Sequence, residues 1–146
     1  LPAKLWLDAA EEAMDQEFHG QYDIWGGDID PSAVELSRHN AELAGVDDCV
    51  RFEVADAAAF RRDAPYGRVV TNPPYGERLL DVRQAQELYR ALGQVFQPRR
   101  GWSLGVISPD PEFESLFGRR ADKRRKLYNG MIQCQYYQYF RGSDKR

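Results

Sequence analysis

The stretch VTNPPYGE, residues 70–77, places an asparagine and two prolines directly behind an apolar, β-branched run. Pro73 and Pro74 have no backbone N–H, so the strand that begins at RVV must stop there. Asn72 precedes a proline and is held towards extended geometry. The product is a stiff corner that carries an amide and a phenol ring at the end of a strand. In open α/β sheets that end is where ligands bind. Taken alone, the corner has a plainer reading: Asn-Pro opens turns, Pro-Pro marks loops, and Tyr75 would cover the edge of a core. The surrounding sequence decides between the two.

Residues 3–16 carry Leu, Trp, Ala and Met among acids at helical spacing, which predicts an amphipathic helix. YDIWGGD predicts a strand running into a turn. In DPSAVELSRHNAELAG, Asp30 is the expected N-cap, Pro31 the first helical residue and Gly45 the C-cap. VRFEVAD alternates and predicts a strand, and RVVTN is the next. Residues 83–97 have helical periodicity, with Ala85, Leu88, Leu92, Val95 and Phe96 on one face. GWSLGVIS predicts a buried strand and PEFESLF a short helix. RKLYNGMIQCQYYQYF predicts a hairpin with a type I′ turn at Asn129-Gly130. No repeat, low-complexity tract or linker interrupts the chain, so a single domain is expected. The order helix, β, α, β, β, α, β, α, hairpin implies an α/β fold. Its sheet should be mostly parallel, with helices on both faces and one antiparallel strand from the hairpin.

The 146 residues are 42% hydrophobic and 29% charged, the composition of a soluble globular protein. No apolar run approaches the roughly 20 residues that span a membrane, and the N-terminus has no signal-peptide organisation. Cys49 and Cys134 lie far apart with no partner pattern, so buried free thiols in a reducing cytoplasm are expected, with no metal site. The charge is unevenly spread. Residues 1–73 hold 6 Lys/Arg and 15 Asp/Glu, a net of −9, whereas residues 74–146 hold 14 and 8, a net of +6. That asymmetry points to a polyanion meeting one face.

Three predicted strand ends carry polar groups. Asp28, in GGDIDP, is placed to accept hydrogen bonds from ribose hydroxyls; the plainer alternative, a helix-capping acid, suits Asp30 better. Asp56, in VRFEVAD, is placed to accept from an adenine amino group; the plainer alternative is a solvated loop acid. The third end is Asn72 with Pro73 and Tyr75. Together they outline a cleft for an adenosine-bearing cofactor beside a site for a flat, amino-bearing ring. An exocyclic base amine is a poor nucleophile because its lone pair is delocalised into the ring. The Asn72 side-chain oxygen and the Pro73 carbonyl can each accept one of its N–H bonds, which draws the nitrogen towards tetrahedral geometry. Tyr75 offers a stacking face, and a paired base must be flipped out to reach it. No strong general base is needed, and His19 and His39 lie away from the strand ends. The run RRADKRRK, residues 119–126, is either a solvated face or a phosphate-contacting strip. Its cations are Arg119, Arg120, Lys123, Arg124, Arg125 and Lys126.

The pattern GGDIDPSAV, VADA and TNPPYGERL resembles the S-adenosylmethionine-dependent methyltransferases that act on amino groups of nucleic acids. NPPYGERL followed by ADKRRKLYNGMIQCQYYQYF resembles, over nearly the whole chain, the catalytic domain of bacterial 23S ribosomal RNA guanine-N2 methyltransferases. Proteins of that family join this domain to a THUMP RNA-binding domain, and many carry the label N6-adenine-specific DNA methylase. The resemblance implies a Rossmann-like class I methyltransferase fold, S-adenosylmethionine as cofactor and ribosomal RNA as partner. It implies Asp28 on the ribose hydroxyls, Ile29 against the adenine, and Asp56 with Ala57 at the adenine amino group. It implies Asn72, Pro73, Pro74 and Tyr75 as the target-amine site. Adenine-N6 methylation of DNA or RNA would use the same corner, and an inert RNA-binding domain could keep the basic run.

The family's domain opens with a strand and a Gly-rich loop, roughly D-P-x-C-G-S-G, that wraps the methionine end of the cofactor. This sequence begins at the helix expected after that loop. The expectation is therefore a C-terminal fragment of the catalytic domain, residues 1–146, inactive by itself. Its central strand, between the strands ending at Asp28 and Asn72, should be missing, so no continuous sheet should form from this chain.

Overall fold

The computed structural model describes residues 2–18, 20–75, 79–96 and 101–140, without the side chains of 79 and 80. His19 and the Gly76-Glu77-Arg78 part of NPPYGERL lie outside the described residues. The elements follow the predicted order: α1 (Ala3–Asp15), β1 (Ile24–Asp28), α2 (Pro31–Ala44), β2 (Val50–Val54), β3 (Gly67–Thr71), α3 (Leu79–Val95), β4 (Trp102–Ser108), α4 (Phe113–Phe117), β5 (Lys123–Asn129) and β6 (Ile132–Tyr139). A 3-10 turn, Ala57–Ala59, follows β2. Among the described residues no helix is long and apolar enough to cross a membrane.

The strands form two sheets, β1-β2 and β3-β4-β6-β5, in two compact units, Leu1–Val54 and Ala55–Arg146. No continuous sheet runs through the described residues. Among the described residues, β1 pairs only with β2 and β3 pairs only with β4, both in parallel.

In the first unit, Asp28 stands opposite Val54 at the carboxyl end of the pair. The predicted caps of α2 are present. The Asp30 side chain accepts from Ser32 N, Pro31 sits at the first position, and Gly45 ends the helix. Val34 and Ala41 are its buried residues. The predicted apolar residues of α1 are all exposed, Leu5, Trp6, Leu7 and Met14 included.

In the second unit, β6 runs antiparallel to both β4 and β5 and is the one reversed strand. α3 and α4 both pack on one face of this sheet. Their side chains Ala85, Tyr89, Leu92, Phe113 and Phe117 meet Leu104 and Val106 of β4 and Tyr137 and Tyr139 of β6. The Phe113 ring stacks on Tyr137 at 4.5 Å and meets Tyr89 edge-on at 5.1 Å. Such aromatic pairs contribute about 0.5–1.5 kcal/mol each beyond the area they bury. The predicted α3 face is present, but besides Leu92 its fully buried residues include Tyr89, which the apolar pattern left out.

The hairpin differs from prediction in its turn. Asn129 pairs with Ile132, so the two turn residues are Gly130 and Met131. Gly130 has φ 60, and among the described residues no non-glycine residue, Met131 included, has positive φ, which is the type II′ pattern. A type I′ turn needs positive φ at both central residues, and Met131 resists it.

Two predictions follow from this packing. A methyl group at position 93 would sit 2.0 Å from the Phe117 carbonyl oxygen. Gly93→Ala gains about 0.8–1.0 kcal/mol of helix propensity, yet it should lower stability by roughly 1–3 kcal/mol through overpacking. Urea unfolding of the variant decides the sign, and a more stable variant would remove the close α3–α4 contact. Burial raises the proton affinity of Tyr89, Tyr137 and Tyr139. The folded state therefore keeps phenol protons that the unfolded state loses from about pH 10 upward. Their contribution to stability is complete below that pH and falls as pH rises through the higher folded values. Unfolding measured between about pH 9 and 11 should show this decline, shallower in Tyr89→Phe; an equal slope in both would contradict it.

Candidate functional site

The corner is built by the end of β3. Thr71 stands beside Val106 of β4, and the chain then leaves the sheet at Asn72. Asn72 and Pro74 are exposed, Pro73 is buried and Tyr75 is half-buried. A buried proline has no N–H to leave unpaired, so the chain can turn inward here without a hydrogen-bond penalty.

The neighbouring end of β4 is fixed by a polar network. Ser108 is fully buried. Its hydroxyl donates to the Tyr89 hydroxyl at 3.0 Å and accepts from Asp110 N at 3.1 Å. The Asp110 carbonyl accepts from the Tyr137 hydroxyl at 3.3 Å, and its carboxylate accepts from Gln86 and from Glu112 N. Buried polar groups held on all sides rigidify what they touch. This network ties β4, α3 and β6 together at the strand end beside Asn72. Sequence reading missed it, because Ser108 and Asp110 flank a proline-rich turn and look like ordinary turn formers.

Tyr75 is held from another direction. Its hydroxyl accepts a hydrogen bond from the Asn129 side-chain amide, 54 residues away at the end of β5. Asn129 carried a turn signal in the sequence and nothing that marked this contact.

The acids have local partners. Asp28 is exposed, and its Oδ1 accepts from Asp30 N at 2.9 Å. Ile29, directly after it, is 69% exposed. Asp56 caps the 3-10 turn, accepting from Ala58 N at 2.8 Å, and Ala57 opens that turn. Each acid thus uses one oxygen on a backbone N–H two residues on; Asp30, not Asp28, caps α2. Among the described residues the second oxygen of each has no partner. Asp28 and Ile29 belong to the first unit; Asp56, Ala57 and the Asn72 corner belong to the second.

Strand geometry divides the basic run. Lys123 to Lys126 lie in β5, an edge strand among the described residues, and alternate between its faces. Arg124, opposite Tyr137, is on the helix-covered face and lies 3.5 Å from the Glu114 carboxylate. Lys126 shares that face, with its ammonium 5.7 Å from the Tyr128 ring centre. Lys123 and Arg125 are exposed on the other face. Arg119 lies over Tyr139 and pairs with Asp122, and Arg120 is exposed.

A cleft of about 580 Å³ is lined by Phe60, Phe96, Trp102 and Tyr139 among others. It opens towards the amino ends of β3 and β4, away from Asn72. Cys134 is buried and Cys49 half-buried, both as free thiols, and hydrogen bonding to Asp48 raises the Cys49 thiol above its ordinary pKa. Among the described residues no group of three or more His, Cys, Asp or Glu side chains is placed to hold a metal ion.

Comparison with known proteins identifies the family of the chain. Residues 3–138 match the family model UPF0020, RMKL-like, methyltransferase domain. A relative, ribosomal RNA large subunit methyltransferase K/L of Shewanella amazonensis, is 41% identical over 92% of this chain, which spans 20% of that protein. The crystal structure of SMU.472 complexed with SAH superposes with a TM-score of 0.87 at 38% identity, over 99% of this chain and 39% of that one. A structure from Listeria monocytogenes named as a "predicted N6-adenine-specific DNA methylase" gives 0.79 at 38% identity, over 97% and 36%. The chain therefore spans a minor part of the proteins it matches. It belongs to the RMKL-like methyltransferase-domain family.

Proposed function

We infer that this chain forms the base-amine and adenosine-facing part of an enzyme that methylates RNA, with guanine N2 of 23S ribosomal RNA as the target. The observation that carries the reading is the corner itself: an exposed Asn72 amide anchored by buried Pro73 at the carboxyl end of a parallel strand. Family membership and the ribosomal RNA methyltransferase relative support it.

The donor set suits S-adenosylmethionine. Carboxylates are pure acceptors. Asp28 and Asp56 each spend one oxygen on a local N–H and turn an exposed side chain outward, as ribose hydroxyls and an adenine amine require. Ile29 offers exposed apolar surface next to Asp28. When bound, the cofactor supplies an electrophilic methyl group. The chain's own residues prepare the amine. Asn72 Oδ1 and the Pro73 carbonyl accept its two N–H bonds, and Pro74 keeps the corner rigid. Tyr75 stacks on the base, a contact that contributes about 1–3 kcal/mol in single-strand binders. Asn72 thus stabilises positive charge as it develops on the nitrogen, as a preorganised dipole.

In this reading the two units are halves of one catalytic domain, residues 1–146, in a longer cytoplasmic protein. A preceding strand with the Gly-rich loop and a THUMP domain for RNA belong to the same protein, and residues 1–146 alone are inactive. The partial span against the relatives and the single-sided pairing of β1 and β3 among the described residues support this. Lys123 and Arg125, with Arg119, Arg120, Arg124 and Lys126 nearby, meet RNA phosphates.

Methyl transfer to ribosomal RNA by the whole protein should fall about 10²–10³-fold in Asn72→Ala, the effect of losing one preorganised polar group at a reacting centre. Cofactor affinity should stay within twofold, because Asn72 faces the amine. Unchanged turnover would remove Asn72 from the chemistry. Substituting Lys123 and Arg125 together by Gln should flatten the salt dependence of RNA binding, by about 0.7–0.9 in the log–log slope per lost phosphate contact. An unaltered slope would return the run to a charged edge strand that merely blocks sheet-to-sheet association.

A further inference from the structure

We propose that Asn129 is a positioning residue for the target base, acting through Tyr75. The proposal rests on the reading of the Asn72–Tyr75 corner as the amine site. Three observations carry it. First, the Asn129 amide donates to the Tyr75 hydroxyl, and among the described residues that hydroxyl has no other partner. Second, the turn falls at Gly130-Met131, so Asn129 stays in β5 as the residue paired with Ile132. Its backbone is fixed by the ladder, and its side chain is free of the turn-forming role that Asn-Gly pairs normally have. Third, β6 joins β5 to β4, and β4 is the strand beside the corner. The hairpin is therefore rigidly connected to the strand pair that carries Asn72.

A stacking aromatic works only in one orientation. Half-buried Tyr75 follows two prolines and leaves the sheet, so its own backbone does not lock the ring. The Asn129 bond supplies that lock from a second element. It fixes the ring plane before the base arrives, so the base does not have to order it. The hydroxyl is then a handle for orientation and takes no part in bond making. This also accounts for a tyrosine here, since stacking alone needs only an aromatic ring.

The test is a double-mutant cycle in the whole protein, with methyl transfer to ribosomal RNA as readout. Asn129→Ala should lower kcat/KM for RNA roughly 3- to 10-fold, the effect of ordering one side chain on binding. Cofactor affinity and the unfolding midpoint should stay unchanged. Tyr75→Phe keeps the ring and removes the handle, and it should show a loss of the same size. The double variant should be no worse than either single one. Multiplying losses would overturn the proposal, because Asn129 would then act by another route, as would wild-type kcat/KM in Asn129→Ala. If Asn129→Ala fails to fold, Tyr75→Phe with wild-type activity would overturn it equally. Wild-type protein that transfers no methyl group to RNA would overturn the underlying reading as well; activity in wild type with multiplying losses would overturn the Asn129 role only.

Discussion

Two consecutive residues without a backbone N–H decide where β3 ends and how Asn72 is presented. Pro73 and Pro74 end β3 whatever its neighbours would prefer. Because Pro73 is buried, the exit of the chain is fixed and Asn72 is left exposed at the edge. β4 runs parallel alongside, so its carboxyl end arrives at the same place. There Ser108 and Tyr89 form a satisfied polar network under the corner. The aromatic core of Phe113, Tyr137 and Tyr139 holds that network from below. Rigidity in the core and exposure at the corner have one cause, the end of a strand that cannot continue.

The carboxylates show how a structural and a functional reading coexist in one side chain. Asp28 and Asp56 each complete a local turn by accepting from the N–H two residues on. That bond orients the carboxylate and leaves an exposed oxygen at the end of a strand. An acid that completes a turn at a loop tip is common; here one stands at the end of β1 and one just after β2. In each case the turn bond restrains the orientation of the side chain.

Local rules made much of this legible in the sequence. The element order, the Asp30 and Gly45 caps of α2, the stop at Pro73 and the reversed strand in the hairpin all follow from residues within one turn or one strand of each other. What stayed hidden is non-local. Tyr89 reads as half-polar in an amphipathic helix, and its complete burial rests on partners from other elements, the Phe113 ring and the Ser108 hydroxyl. The alternation of β5 separates Arg124 from Arg125, and the Glu114 partner of Arg124 lies on another element. The turn moved by one residue because ladder register outweighed the Asn-Gly preference. Among the described residues the strands divide into two sheets, β1-β2 and β3-β4-β6-β5. The exposed apolar residues of α1 did not follow from periodicity, which marks an apolar face but cannot say what covers it.

The claim that the corner receives a base amine is tested most directly by finding the atom that is methylated. Ribosomal RNA and DNA would be incubated with the whole protein and isotopically labelled S-adenosylmethionine, then digested and separated by nucleoside mass spectrometry. The account predicts label in N2-methylguanosine from the RNA. Label in N6-methyladenine would keep the corner and replace the base; cofactor binding with no label on any base amine would contradict the account.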